Sequence, residues 1–304
     1  MALRPLLLRP AFHPFAGIAR TSRCMSNNAS WSRNCCMRAV MLVGRGGTTP
    51  GAGASLIRLA ARCRTADIAP IVTPCFVRHQ RPSFAEALDQ CVAQGAQEII
   101  IVPYALALSE PDQAELQRLA DSARRIHSHL ALRITGPLGH HAALSQVLVQ
   151  RVLEADYVAA HHLWGHQPHA AWPTWQQEHA IGLIIVIDGL AGIPATLKEA
   201  MLALHTHAPR YADVHFCAID RNELDLSAPL EALMAQECRW VIIAPYILEH
   251  CSFVGAAIER AVADIRARYP DITVIQAEHL AYDRRLLQAI ADRVYASRQR
   301  DAAL

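Results

Sequence analysis

The residues best equipped for chemistry in this chain stand at the ends of apolar runs. Asp188 closes the run Gly182 to Ile187, and Glu249-His250-Cys251 follows Pro245-Tyr246-Ile247-Leu248. Asp188, Glu249, His250 and Cys251 together offer carboxylates, an imidazole and a thiol, donors suited to a borderline divalent metal. Imidazole is also a base near neutral pH. A plainer reading leaves Glu249 in solvent and has His250 and Cys251 cap or underlie the helix that follows. Arg45 lies in the turn Gly44-Arg45-Gly46-Gly47. There it can grip a carboxylate, as a guanidinium does well, or pair with Asp188. Thr49 stands where the last glycine of G-x-G-x-x-G would be, so no nucleotide site is expected.

The elements that must hold these residues are written twice. Short β-rich runs at Ala39–Val43, Ile68–Thr73, Glu98–Val102 and Leu130–Thr135 read as strands, and the pattern returns at Gly182–Ile187, Val214–Ile219, Trp240–Ala244 and Ile272–Ile275. Helices are expected between them. The helix after Pro111 sets Leu116, Leu119, Ala123 and Ile126 on one face, and the helix after Phe253 repeats Val254, Ala257, Ile258, Ala261, Val262 and Ile265. Ser83 and Glu86 form a capping box, and Gly95 closes that helix. Pro103-Tyr104 and Pro245-Tyr246 are 142 residues apart, as are Cys75 and Cys217, Gln94 and Gln236, and Leu144 and Leu286. Arg45 and Asp188 correspond at 143. The expected fold is therefore α/β, with two tandem three-layer α/β/α domains related by duplication, each built on a mainly parallel four-stranded sheet.

Composition agrees with two cores: 304 residues, 52% hydrophobic and 18% charged. The expected division is an extension over 1–38, a first domain over 39–160, a linker over 161–180 and a second domain over 181–300. The extension holds six arginines and no acid, and reads either as upstream reading frame, with initiation near Met25, Met37 or Met41, or as a targeting presequence. The linker carries five of the sixteen histidines. It reads either as a tether collecting metal through His161, His162, His166, His169 and His179, or as a segment packing Trp164, Trp172 and Trp175 over the seam. Basic and acidic residues number 29 and 27, too even for a nucleic-acid partner. No stretch approaches the ~20 apolar residues of a membrane span. Nine scattered cysteines without a C-x-x-C pair fit reduced thiols and a cytoplasmic location.

Several segments, in order, resemble the sirohydrochlorin cobaltochelatase and ferrochelatase group, the CbiX and SirB proteins. They are Leu42-Val43-Gly44-Arg45-Gly46-Gly47, Arg81-Pro82-Ser83-Phe84-Ala85-Glu86-Ala87-Leu88, Ala93-Gln94-Gly95-Ala96 leading to Ile99-Ile100-Ile101-Val102-Pro103-Tyr104, and Pro137-Leu138-Gly139-His140-His141. Pro245-Tyr246-Ile247-Leu248 and His279-Leu280-Ala281-Tyr282-Asp283-Arg284-Arg285-Leu286 are similar to the second half of long, two-domain members. The resemblance covers about residues 39 to 300.

The resemblance implies two lobes facing a cleft, in which a divalent metal, the substrate, is inserted into a tetrapyrrole without nucleotide hydrolysis. In the family a histidine follows the first strand's glycine, and a second lies about eight residues beyond the proline ending the third strand. Those positions are Arg45 and Pro111 here, and neither supplies a ligand atom to a cation. The second-half counterparts are Asp188 and Phe253. The expected site is therefore rearranged, with Asp188, Glu249 and His250 as metal and base groups, Cys251 as a further ligand, and Arg45, Gly46, Tyr104, Tyr246 and His140 as substrate contacts. His141 and His279 stand near the presumed rim. The alternative is a silent paralogue that binds a tetrapyrrole or metal as carrier, sensor or partner subunit. Either protein is expected as a monomer or homodimer.

Overall fold

The computed structural model describes residues 37–48, 51–139, 141–161, 172–173, 177–189, 192–219, 223–248 and 252–302. Most of the proposed linker, the extension to residue 36, and the site residues His140, Glu249, His250 and Cys251 lie outside them. The elements run β1 (Arg38–Gly44), α1 (Ala54–Thr65), β2 (Ile71–Phe76), α2 (Phe84–Ala93), β3 (Glu98–Pro103), α3 (Glu110–Ile126), β4 (Ala131–Ile134), α4 (Ala142–Ala160), then β5 (Ile181–Asp188), α5 (Ala195–His207), β6 (Tyr211–Ile219), α6 (Ser227–Ala235), β7 (Trp240–Tyr246), α7 (Ser252–Arg268), β8 (Thr273–Gln276) and α8 (Leu286–Ala302). Residues from Cys36 onward form one compact unit.

Two four-stranded sheets result, ordered β2-β1-β3-β4 and β6-β5-β7-β8, with every pairing parallel. The central strands are apolar on both faces because helices cover both. On the first sheet, Ala39, Met41, Ile99 and Ile101 pack among residues of α2 and α3, whereas Val40, Leu42, Ile100 and Val102 face a core shared with the second sheet. There Leu183, Ile185, Ile187, Ile242 and Ala244 join the same core, while Ile184, Val186, Val241 and Ile243 pack among residues of α6 and α7.

The middle layer is exchanged between halves. Helix α4, which follows the first sheet, packs on α5, β7 and β8; helix α8, which ends the second half, packs on α1 and β3. The repeat-related arginines of these helices fasten them reciprocally. Arg151 of α4 donates to the carbonyls of His279 and Ala281, at 3.2 and 3.1 Å, and Arg293 of α8 donates to the carbonyl of Leu138 at 3.2 Å. His141 caps the N-terminus of α4 and meets Asp292 of α8 at 2.8 Å. At the far end of α4, the fully buried Asp156 accepts hydrogen bonds from Trp172 Nε1, Arg210 and the Tyr211 hydroxyl at 2.8 to 2.9 Å.

Two expectations need correction. Strand β2 spans Ile71–Phe76 rather than Ile68–Thr73. It is an edge strand, so Pro74, which has no N–H to give, is tolerated inside it, and the apolar Ile68 and Ala69 pack as part of the preceding loop. In α3 the buried stripe is Leu116, Ala120 and Ala123; Ile126 ends the helix 74% exposed, beyond the reach of the sheet. The capping box of Ser83 and Glu86 forms as expected, and Gly95 closes α2 at φ 87°.

Candidate functional site

A cavity of about 430 Å³ opens where β1, β2 and β3 end, and both halves wall it. Its size falls within the ~300–1,000 Å³ usual for small-molecule sites, and its place beyond the carboxyl ends of parallel strands is where open α/β sheets bind ligands. Arg45 and Gly46 come from the turn after β1, Arg78 and His79 from the end of β2, Tyr104 and Leu106 from the end of β3, and Asp112 from the first turn of α3. Asp188, Ile247 and Leu248 close it from the second half.

The turn after β1 is fixed by extension of the sheet. Val77 N–H donates to the Gly44 carbonyl and Arg78 N–H to that of Arg45, each at 3.0 Å. This brings the Arg78 carbonyl against Gly46, which holds φ 83°; a Cβ there would lie 1.9 Å from that oxygen. Only glycine fits. The seam is bridged at the cavity wall by the Tyr104 hydroxyl, 3.5 Å from the Leu248 carbonyl.

Arg45 makes an ion pair, but not the one across the seam with Asp188. Its Nη2 lies 2.6 Å from Asp112 Oδ2. The reason is the start of α3: Ser109 caps the helix by accepting from Asp112 N–H, and its hydroxyl donates to the same Oδ2 at 2.7 Å, which aims that carboxylate at the cavity. Pro111 occupies the same first helical turn. Asp188 reaches the cavity from the opposite wall, where it is already engaged in an interaction of its own.

Arg45, Gly46, Tyr104 and Asp188 are thus brought together. Tyr246 is not: β7 turns Ile242, Ala244 and Tyr246 toward the shared core, and Tyr246 is 1% exposed. Burial pushes its hydroxyl up to about 12, partly offset by the nearby Ser145, although the hydroxyl completes no hydrogen bond of ordinary geometry. It stays neutral at any working pH. His279 lies beside Glu278 and Tyr282 rather than at the cavity. Among the described residues, no group of three His, Cys, Asp or Glu side chains is placed to hold a metal ion.

Arg78, like His79 and Asp112, is a cavity residue that sequence reasoning missed. Ending β2 at Thr73 left the next five residues in a loop of no assigned direction. The missed signal was Pro74 in an edge position, which lets the strand run on to Phe76 and delivers Arg78 to the mouth.

The duplicated parallel sheets and the cavity they share define a two-lobed α/β protein with a ligand cleft at its strand ends. A family model described as CbiX matches residues 39–155 and 196–297, and the chain belongs to that family. A sirohydrochlorin cobaltochelatase of Priestia megaterium is 26% identical over 119 residues, 39% of each chain. The chloroplastic sirohydrochlorin ferrochelatase of Arabidopsis thaliana is 31% identical over 83 residues, 27% of this chain and 37% of that one. The chain thus spans well under two thirds of either relative. In fold it is similar to SirB from Bacillus subtilis with Fe3+ (TM-score 0.62, 18% identity, covering 86% of this chain and 95% of that one). SirB from the subspecies spizizenii in complex with cobalt matches over the same shares, with TM-score 0.60 and 17% identity.

Proposed function

We propose that this protein is a chelatase of the cobalamin or siroheme branch, inserting a divalent metal, cobalt or iron, into a sirohydrochlorin-like macrocycle without nucleotide hydrolysis. The observation that carries this reading is a cleft walled by repeat-related turns of both halves, with Arg45 on one side and Asp188 on the other. Metal insertion asks for a few exchangeable ligands on the metal, a base for two pyrrole N–H protons, and a ring bent so that its nitrogens face the metal. Asp188, His250 and Cys251 hold the metal in this proposal, and His250, Glu249 and Asp188 take up the ring protons. Arg45 takes a ring carboxylate, and Tyr104 and Leu106 supply apolar wall.

A second reading has its own support. In the position after the first strand's glycine stands a guanidinium, fixed to Asp112, which has no acceptor atom to offer a cation. On this ground a silent family member would bind the macrocycle without metallating it. Purified protein incubated with sirohydrochlorin and Co²⁺, Ni²⁺ or Fe²⁺ separates the two. The chelatase reading expects the absorbance change to outrun the metal-only background at least tenfold, and His250→Ala to abolish the excess. Tight macrocycle binding with no acceleration would establish the silent binder.

A further inference from the structure

We infer that Arg78 and Arg45 together form a two-guanidinium receptor for carboxylates on the cavity's ligand, so that the first half of the cleft selects a polycarboxylate. The inference rests on the ligand reading above and names the groups that select it.

Two arginines from adjacent parallel strands meet at one mouth, because β1 and β2 pair through Gly44↔Phe76 and the pairing continues to the Arg78 amide. Arg45 is bound to Asp112 through Nη2, which leaves its Nη1 and Nε donors facing elsewhere, and its side chain is 48% exposed. Its pose is held by Ser109 through Asp112, so it is a donor set already oriented before a ligand arrives. Arg78 is exposed and its side chain makes no hydrogen bond or ion pair among the described residues; Glu115, which feels its charge, is itself chelated by Arg118 at 2.6 and 3.0 Å. Asp112 is neutralised by Arg45, and Asp188 has its own interaction. The surplus positive charge therefore sits on the exposed Arg78, in a lining that also holds the apolar Val43, Val77, Pro103 and Leu106. Apolar walls beneath a guanidinium rim suit a flat hydrophobic body fringed by anions, since the body displaces water from the walls while the fringe meets planar, forked donors.

The test uses the whole protein and two probes: uroporphyrin, a flat tetrapyrrole fringed by carboxylates, and mellitate, a benzene ring with a carboxylate on every carbon. Wild type, Arg78→Gln, Arg45→Gln and the remote charge control Arg125→Gln are titrated with each. The inference expects Arg78→Gln and Arg45→Gln each to weaken binding about tenfold to a hundredfold, the range for a lost hydrogen bond to a charged group, with Arg125→Gln unchanged. Salt should weaken the wild type more than Arg78→Gln. Arg78-dependent binding of mellitate with no binding of uroporphyrin would keep the receptor and sink the tetrapyrrole reading. Uroporphyrin bound equally by wild type and Arg78→Gln would sink the receptor and leave that reading standing. Binding of neither probe would overturn both.

Discussion

Gly46 sets the geometry of the cleft more tightly than any residue whose side chain lines it. Its backbone is pressed against the Arg78 carbonyl at a φ of 83°, so a methyl group must push the two strand ends apart. Gly46→Ala is expected to cost about 1–3 kcal/mol, the usual range for a side chain forced into such a conformation, and to weaken ligand binding beyond what the lost stability explains. Urea denaturation beside a binding titration checks this; a variant of wild-type stability would mean that the turn relaxes freely. Arg45 and Asp188 were legible in the sequence because each follows an apolar run in a repeat-matched place beside a glycine. The choice of partner for Arg45 was not. Asp112 is 67 residues away, and its aim depends on how Ser109 starts a helix. Tyr246 is placed otherwise: Pro-Tyr recurs in both halves and both tyrosines belong to the shared core, but Tyr104 also lines the cavity and Tyr246 does not.

Among the elements, α4 carries the largest structural burden, touching the second sheet along its length and ending in a buried polar knot. Asp156 is wholly enclosed, and Arg210, only 5% exposed, pairs with it at 2.9 Å. Asp156→Ala takes three hydrogen bonds and one member of a buried ion pair out of this knot and is expected to destabilise by about 3–5 kcal/mol. The midpoint of urea unfolding reports the change, and a loss under 1 kcal/mol would show that the knot relaxes or hydrates. Trp172 is buried and donates to Asp156, while Pro173 accepts from Arg210 at 3.3 Å, so these two residues pack as structure. Periodicity located every strand and the buried face of α7, since a parallel sheet demands long apolar runs on both sides. It could not say which sheet an apolar helix would cover, because Leu144, Val147, Leu148 and Val152 would suit either.

At the scale of the molecule, the repeat offset of 142 residues was visible in the sequence, and the exchange of the middle helices was not. The structure makes each half depend on the other for cover. A fragment of residues 37–161 would leave Val40, Leu42, Ile100 and Val102 without α8, and α4 without β7 and α5. Made alone, it is expected to aggregate or self-associate rather than melt as a cooperative monomer. Expressed together with residues 177–302, it should copurify as a soluble pair. Light scattering and circular dichroism on the fragment decide the matter, and a monomer with a sharp melt would contradict the dependence.

The crossed fastening of α4 and α8 also constrains how anything enters. Proteins that close on a ligand by swinging one lobe about a slender connection need halves that can part, and here Arg151 and Arg293 bolt each helix to the opposite half while one apolar core runs through both. A ligand must then reach the cavity without the halves parting, the body of the molecule keeping its shape.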